Sequence, residues 1–183
     1  EALVQQQKEL LTGNLRLGII PTLAPYLLPL FLPGFMARYP QVKLHISEMN
    51  TEAIVQQLEH QQLDAAILAT PLNRATILEQ PLFYEKMVVY AAAGSQLMKK
   101  KYILPGDIDV QRLWLLGEGH CLRNQALHLC ELKRQDHAGF QLDYAAGSIE
   151  TLKKLVHMNE GITIIPELAL QDMPAEELER IRY

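Results

Sequence analysis

The sequence predicts an α/β protein that consists of two units, each built around a mostly parallel β-sheet. Three observations predict it. Residues 15–68 follow the order strand–helix–strand–helix–strand, and parallel strands need a crossover helix between them. A second series of strands and helices follows between residues 87 and 165. Polar or glycine-rich turns come after several strands, and ligands bind beyond the carboxyl ends of strands in such sheets, so we expect a cleft between the units.

The elements of the first unit follow from hydrophobic periodicity. Short apolar or alternating runs predict its strands at 15–20, 42–46 and 65–68. Apolar residues at helical spacing predict a helix at 26–39 in spite of its prolines. Thr51 stands where an N-cap belongs, before a second helix. The polar stretch 1–11 is expected to be the end of a longer helix that stops at Gly13.

The second unit is predicted in the same way. Its strands are expected at 87–92, 112–116, 141–144 and 161–165. Ser148 is expected to cap a helix that turns Leu152, Leu155 and Val156 inward. Residues 94–110 have the composition of a loop, and the turn 117–119 leads directly into the stretch that carries the cysteines.

Composition and charge narrow the possible partners. The 183 residues are 49% hydrophobic and 21% charged, as in ordinary globular proteins. No apolar run reaches the ~18 residues of a membrane span, and the first residues lack the order of a signal peptide, so no membrane partner is expected. The formal net charge of −4 argues against DNA binding by this stretch itself, and the lysine run 99–101 is interpreted as solvated surface. Two cysteines do not make a secreted disulfide framework, which favours the cytoplasm.

Both cysteines lie in the stretch 119–130, whose sequence is GHCLRNQALHLC. If it is helical, nine residues at ~1.5 Å rise separate Cys121 from Cys130 by roughly 13 Å, on opposite faces. A disulfide needs Cα atoms within about 7 Å, so the two sulfurs can bond only if the helix comes apart. Helical spacing places Cys130 on one face with Leu122, Ala126 and Leu129, which is expected to be buried. We interpret the stretch as a possible redox switch.

The position of Cys121 is predicted to make its sulfur reactive. It follows a glycine turn at the predicted helix start, where unpaired amides and the positive end of the helix dipole favour a thiolate. His120 and Arg123 are expected to add positive charge. A thiolate is the form that attacks peroxide, so Cys121 is predicted to be the attacking thiol and Cys130 the resolving one.

The residues alone leave other interpretations open. Two cysteines in one helix are commonly small core residues. A zinc site needs closer pairs of ligands and a cysteine protease needs a marked base, and the stretch 119–130 offers neither. No metal or cofactor is therefore expected. Thr22 and Thr51 would by themselves be a turn residue and an N-cap.

Taken together, these residues resemble a known family. The stretch 119–130 is similar to the redox segment of the OxyR family, the peroxide-sensing LysR-type transcription regulators. The stretch 20–29, with the sequence IPTLAPYLLP, resembles the opening of the family's regulatory domain. Residues 63–68, 81–83 and 150–166 also match the family's pattern, so the resemblance extends from residue 14 to residue 170.

The resemblance implies a periplasmic-binding-protein-like regulatory domain of two Rossmann-like subdomains with a cleft. Residues 14–84 and 166–183 would form subdomain I, residues 85–165 would form subdomain II with the redox segment, and residues 1–13 would end a linker helix. The resemblance also implies a preceding winged-helix DNA-binding domain. It further implies a strand and a helix after Tyr183, which would complete subdomain I and supply an arginine.

The resemblance also implies a role for each residue of the site. Cys121 corresponds to the peroxidatic cysteine and Cys130 to the resolving one, in a sensor that is not a turnover enzyme. Thr22 and Thr51 fall where the family has threonines that hydrogen-bond the peroxide or a water near the sulfur. The surroundings of the sulfur in the family correspond here to His120, Leu122 and Arg123. Asn124 departs from the family's pattern, in which an aspartate is familiar.

The implied partners follow from the same resemblance. They are hydrogen peroxide, a second copy in a homodimer or a dimer of dimers, DNA through the N-terminal domain, RNA polymerase, and a thiol reductant of the glutaredoxin or thioredoxin type. Two rivals stay open. The first is a LysR-type domain whose cleft binds a small metabolite, with incidental cysteines, and the second is a thiol peroxidase.

Overall fold

A computed structural model describes residues 11–129, 146–159 and 161–182, and the chain divides into two compact units, Glu1–Pro81 and Leu82–Tyr183. Each unit has its own β-sheet with helices, which is the α/β fold class that the sequence predicts. The predicted strand at 141–144 and residues 1–10 of the predicted N-terminal helix lie outside the described residues.

The first unit is a three-stranded parallel sheet with two crossover helices. Its elements are β1 (Gly13–Ile19), α1 (Ala24–Arg38), β2 (Val42–Glu48), α2 (Thr51–Glu59) and β3 (Ala65–Ile67). The strand β1 lies in the centre, in the order β2-β1-β3, and both pairings are parallel. The predicted order of strands and helices in this unit is confirmed.

The packing of α2 against the first sheet depends on a glycine. A Cβ atom at Gly18 would lie 2.7 Å from Leu63 Cδ1 and 3.3 Å from Ile54 Cγ1, so a larger residue there would require these side chains to shift. Ile54 and Leu63 are both buried, and their apolar surface holds α2 and the start of β3 on β1. At the exposed rim, the hydrogen-bonded guanidinium of Arg16 lowers the pKa of the Asp64 carboxyl to about 2.

The prediction that Thr51 caps α2 is wrong. Asn50 is the N-cap, because its backbone is extended and its Oδ1 accepts a hydrogen bond from the Ala53 amide at 2.9 Å. Thr51 is instead the first residue of the helix. Its side chain is therefore free of the capping role that the sequence assigned to it.

The second unit is built on a mixed sheet. Its elements are β4 (Met87–Ala91), β5 (Leu113–Trp114), α3 (Cys121–Leu129), α4 (Ile149–Asn159), β6 (Ile162–Pro166), α5 (Ala175–Leu178) and β7 (Ile181–Arg182). The strands lie in the order β5-β6-β4-β7. Among the strands that the structure describes in this sheet, only β5 and β6 pair in parallel, and β4 runs antiparallel to both of its neighbours. The described second sheet is therefore mixed, whereas the first is parallel.

The chain on either side of the cysteine stretch meets at one place. The predicted strand at 112–116 is regular only over Leu113–Trp114, and Leu116 then forms an isolated parallel bridge with Ala146. The Gly117 amide donates to the Ala146 carbonyl at 2.9 Å.

The helix α4 is capped by Ser148, as predicted. Ser148 Oγ accepts a hydrogen bond from the Thr151 amide at 3.2 Å.

The C-terminal residues belong to the second unit, whereas the expected division assigned 166–183 to the first. The physical reason is the pairing of β7 with β4, in which Ile181 lies opposite Tyr90. Both side chains are buried, at 7% and 0% exposure. The amide of Glu167 also donates to the carbonyl of Lys86, which ties the end of β6 to the start of β4.

Two structural findings bear on the possible partners. Among the helices that the structure describes, none is both long and apolar enough to cross a bilayer. Within the described ranges there is also no group of three or more histidine, cysteine, aspartate or glutamate side chains placed to hold a metal ion.

Candidate functional site

The first unit places two threonines at one edge of its sheet. β1 and β2 are parallel neighbours, and Ile19 lies opposite Glu48 at the last paired position. Thr22 and Thr51 each come three residues after that position, so both follow the carboxyl ends of adjacent strands. This is the edge where ligands bind in parallel α/β sheets.

Both threonines bury side-chain surface, and the hydroxyl of Thr51 has no hydrogen-bond partner among the described residues. Thr22 is buried, with 5% of its surface exposed. Thr51 Oγ1 is also inaccessible to solvent, and among the described residues it has no hydrogen-bond partner. A buried hydroxyl without a partner costs about 1–3 kcal/mol, so Thr51 is the polar group of this unit that a bound ligand would most directly satisfy.

The second unit places Cys121 at the start of a helix, as predicted. Gly119 has a φ of +86°, a left-handed conformation that suits glycine and turns the chain from the end of β5 into α3. The Arg123 amide then donates to the His120 carbonyl at 3.1 Å and closes the first turn. Cys121 is a free thiol with a partly exposed side chain, so a small reagent can reach it.

The neighbours of Cys121 agree only in part with the expectations. Burial lowers the pKa of His120, which disfavours the positive charge expected there. Leu122 is buried, as expected for the inward face of α3. Leu129 is 48% exposed, however, and Leu127 takes its place in the core together with Ala126.

Arg123 turns back toward the strand that precedes the helix. Its Nη1 donates to the carbonyl oxygen of Leu116 at 3.0 Å, and its side chain is partly buried. The guanidinium therefore brings a positive charge near the helix start and joins α3 to the end of β5.

The intact helix keeps Cys121 from bonding with Cys130, wherever Cys130 lies. The Cα atoms of Cys121 and Leu129 are ~12 Å apart along the axis, since α3 spans eight steps of ~1.5 Å. One further residue recovers at most ~3.8 Å, which leaves ~8 Å between the cysteine Cα atoms, beyond the limit of about 7 Å for a disulfide. A bond between the two cysteines therefore requires α3 to unwind. Cys130 itself lies outside the described residues.

The comparison with protein families assigns the fold. The LysR substrate-binding domain family matches residues 8–182, which is nearly the whole chain and includes both units. The chain belongs to this family. A LysR substrate-binding domain is therefore the framework in which the thiol and the two threonines are to be interpreted.

Individual relatives agree with this framework and differ in their names. A "Hydrogen peroxide-inducible genes activator" of Haemophilus influenzae is 38% identical over 166 residues, covering 90% of this chain and 54% of the relative. The "HTH-type transcriptional regulator EstR" of Acinetobacter baylyi is 35% identical over 170 residues, covering 92% and 54%. The chain thus spans about half the length of these curated relatives. Because their identities are similar, overall identity does not separate peroxide sensing from other functions.

A solved structure extends the similarity to three dimensions. OxyR from Porphyromonas gingivalis superposes with a TM-score of 0.84 at 32% sequence identity, covering 93% of this chain and 77% of that chain. The similarity therefore includes the three-dimensional fold.

The structure brings the predicted site residues together in two groups. Thr22 and Thr51 share one edge of the first unit, and the remaining described residues surround the start of α3 in the second: His120, Cys121, Leu122 and Arg123. The meeting of the two groups stays a prediction. Sequence reasoning missed Asn50 as the cap of α2 and Leu116 as the acceptor for Arg123. Asparagine is as strong a capping residue as any, so Asn50 carried a usable signal, whereas a backbone acceptor carries none.

Proposed function

We propose that the chain is the peroxide-sensing regulatory domain of a LysR-type transcription regulator. The observation that carries the proposal is the free thiol of Cys121, partly exposed at the first residue of a helix that must unwind before Cys130 can reach it. The names of the relatives and the solved OxyR structure support it, because they join this fold to hydrogen peroxide.

The proposed chemistry has two steps. The sulfur of Cys121 attacks one oxygen of hydrogen peroxide, so that the O–O bond breaks, the sulfur becomes a sulfenic acid and one water leaves. The thiol of Cys130 then attacks that sulfur, a disulfide forms and a second water leaves. The two sulfurs together lose two electrons, which reduce the peroxide. One molecule of a dithiol reductant, of the glutaredoxin or thioredoxin type, supplies the two electrons that restore both thiols and is itself oxidised to a disulfide.

The signal is proposed to be conformational. Because the disulfide and the intact α3 exclude each other, oxidation biases an element with two arrangements. The change would pass to a second copy in a homodimer or a dimer of dimers. From there it would reach a winged-helix DNA-binding domain and RNA polymerase. A cytoplasmic location fits this cycle, since resetting requires a reducing compartment.

The test is the fate of the thiols. We expect the reduced chain to lose both thiols on treatment with one equivalent of hydrogen peroxide, and Cys121→Ser to keep its remaining thiol. Cys130→Ser should stop at a sulfenic acid on Cys121, which a sulfenic-acid-specific reagent captures for mass spectrometry. A wild-type chain that keeps both thiols, or a Cys121→Ser variant that still reacts, would contradict the proposal.

A second candidate is a domain that senses a small metabolite, with incidental cysteines. The similarity to EstR keeps it open, because the chain is 35% identical to a transcription regulator whose name states no signal. Calorimetric binding of a metabolite to a chain that does not respond to peroxide would support this candidate. Sustained peroxide consumption over many turnovers with a thiol reductant would instead indicate a thiol peroxidase, because a sensor needs only stoichiometric reaction.

A further inference from the structure

One side chain joins the first turn of α3 to the end of β5. Arg123 Nη1 donates to the carbonyl oxygen of Leu116 at 3.0 Å. Leu116 is 1% exposed, and a buried carbonyl needs a donor if it is not to cost free energy. The partly buried guanidinium provides that donor, and it carries a charge, which makes the hydrogen bond stronger than one between neutral groups.

The acceptor of this bond, Leu116, lies three residues before the cysteine stretch 119–130. Leu116 bridges to Ala146, and the Gly117 amide donates to the Ala146 carbonyl at 2.9 Å. Ala146 is fully buried, so this junction is shielded from water. The Arg123 side chain is bonded to Leu116 at this junction. Arg123 therefore ties the first turn of α3 to the place where Leu116 and Gly117 meet Ala146.

The bond depends on the helix being formed. Arg123 lies two residues after Cys121, and its own amide closes the first turn on the His120 carbonyl at 3.1 Å. An unwinding of α3 that extends to its first turn opens this bond and changes the direction from which the Arg123 side chain leaves the backbone. The contact with the Leu116 carbonyl then no longer has the geometry that the helix gives it.

We propose that Arg123 is a positioning residue that acts through the Leu116 carbonyl, holding the first turn of α3 in place and so favouring the dithiol over the disulfide. The effect on the thiol–disulfide equilibrium rests on the proposed function. The anchoring of the first turn concerns the reduced helix alone. This role of Arg123 requires no contact with the sulfur or with the peroxide. Its effect is on the position of the thiol–disulfide equilibrium.

The first measurement is that equilibrium in glutathione buffers of defined ratio. Arg123→Met keeps the aliphatic stem and removes the donors, and we expect it to favour the disulfide by about tenfold, the size expected for one hydrogen bond from a charged group. Arg123→Lys retains a charged donor and should recover part of the shift. The second measurement is amide hydrogen exchange of the reduced chain, in which Arg123→Met should speed exchange in α3 and leave β4 unchanged.

The matched control is Arg182→Met. Arg182 also donates to backbone carbonyls in the second unit, at 2.8 Å to Met98 and 3.1 Å to Lys100, but its partners lie outside the cysteine segment. We expect this variant to lower the unfolding midpoint without moving the thiol–disulfide equilibrium. An equal shift in both variants would show a general loss of stability and overturn the positioning role.

The outcomes separate this inference from the proposed function. Unchanged exchange of α3 in Arg123→Met overturns the anchor whatever the cysteines do. A wild-type equilibrium in Arg123→Met, with a normal disulfide in the wild-type chain, overturns the bias on redox chemistry. A wild-type chain that forms no disulfide while exchange in α3 still depends on Arg123 contradicts the proposed function and leaves the anchor supported.

Discussion

At the scale of single residues, the hydroxyl of Thr51 stands out because folding has buried it without satisfying it. Asn50 caps α2, so the hydroxyl is not needed for the helix, and no described residue bonds to it. An unsatisfied buried hydroxyl is a cost to stability, and such costs concentrate at functional sites. Thr51 also follows the carboxyl end of β2, as Thr22 follows that of the adjacent β1. Both facts make the Thr51 hydroxyl a side chain to test in the proposed peroxide site.

The nearly isosteric variant Thr51→Val tests the role of this hydroxyl through stability and through the rate of Cys121 oxidation. We expect the free energy of unfolding to stay the same or to rise by up to about 1 kcal/mol, because the unpaired hydroxyl is removed. We expect oxidation of Cys121 by peroxide to slow about tenfold, the value of one lost hydrogen bond to the reacting molecule. Urea unfolding and timed mass spectrometry of Cys121 measure the two effects.

The control for that variant is Thr76→Val. Thr76 is exposed, and its hydroxyl donates to Glu59 at 3.0 Å, so it belongs to the same unit and has no place in the site. In Thr76→Val, peroxide should oxidise Cys121 at the wild-type rate. A wild-type rate in Thr51→Val would remove the threonine from the peroxide site.

At the scale of the elements, sequence patterns predicted helices better than the details of their ends and faces. The start of α3 at Cys121 followed from a glycine turn, and the positive φ of Gly119 is the physical basis of that signal. Thr51 was mistaken for a cap because both it and Asn50 have capping side chains, and only the backbone geometry distinguishes them. Leu129 was expected inside by spacing alone, but spacing does not say how far the covering core extends, and Leu127 is buried in its place.

The contact of α4 with its neighbours carries a pH dependence. His157 stacks on the ring of Tyr90 at 5.7 Å and bonds its hydroxyl, and Arg180 Nη1 lies 2.7 Å from His157 Nε2. Burial, the Arg180 charge and the more distant Lys153 lower the pKa of His157, and Glu177 acts in the opposite direction. The unfolded chain therefore binds a proton more readily than the folded one, so this contribution to stability is full above the ordinary histidine pKa of about 6.5 and is lost as the pH falls.

We expect the free energy of unfolding of the wild-type chain to decline more steeply between pH 7.5 and 5.5 than that of His157→Gln. Urea unfolding at several pH values measures the two slopes. His45→Gln is the control, because His45 is exposed on β2 in the other unit, and this variant should keep the wild-type slope. Equal slopes in all three chains would show that the contact does not titrate in this range.

At the scale of the whole molecule, the α/β class and the two units were predictable, while the membership of the last residues was not. Periodicity identifies a strand such as β6, but it does not say which sheet a two-residue strand joins. That choice is made by the pairing of Ile181 with Tyr90, a contact between residues 91 positions apart in the chain. The parallel pairing of β1 with β2 was predictable because the connection between them is long enough for a crossover and contains one helix.

The surface of α1 leads to a prediction about assembly. Its fifteen residues carry one charged side chain, Arg38, and only Ala24 is buried within the described structure, while Leu30 and Met36 are 59% and 64% exposed. A monomer rarely exposes a continuous apolar face, so we expect α1 to contact a second copy in the proposed homodimer. Burying a leucine or methionine is worth about 1.5–3 kcal/mol, so a charge at each position should weaken the dimer at least about tenfold.

We therefore expect the double variant Leu30→Glu, Met36→Glu to sediment as a monomer at concentrations where the wild-type chain sediments as a dimer. The matched control is Leu78→Glu, because Leu78 is 96% exposed but lies outside α1, in the connection after β3. This control should retain the wild-type sedimentation coefficient, which excludes added charge as the cause. A dimer that survives both glutamates would place the self-association surface on another part of the molecule.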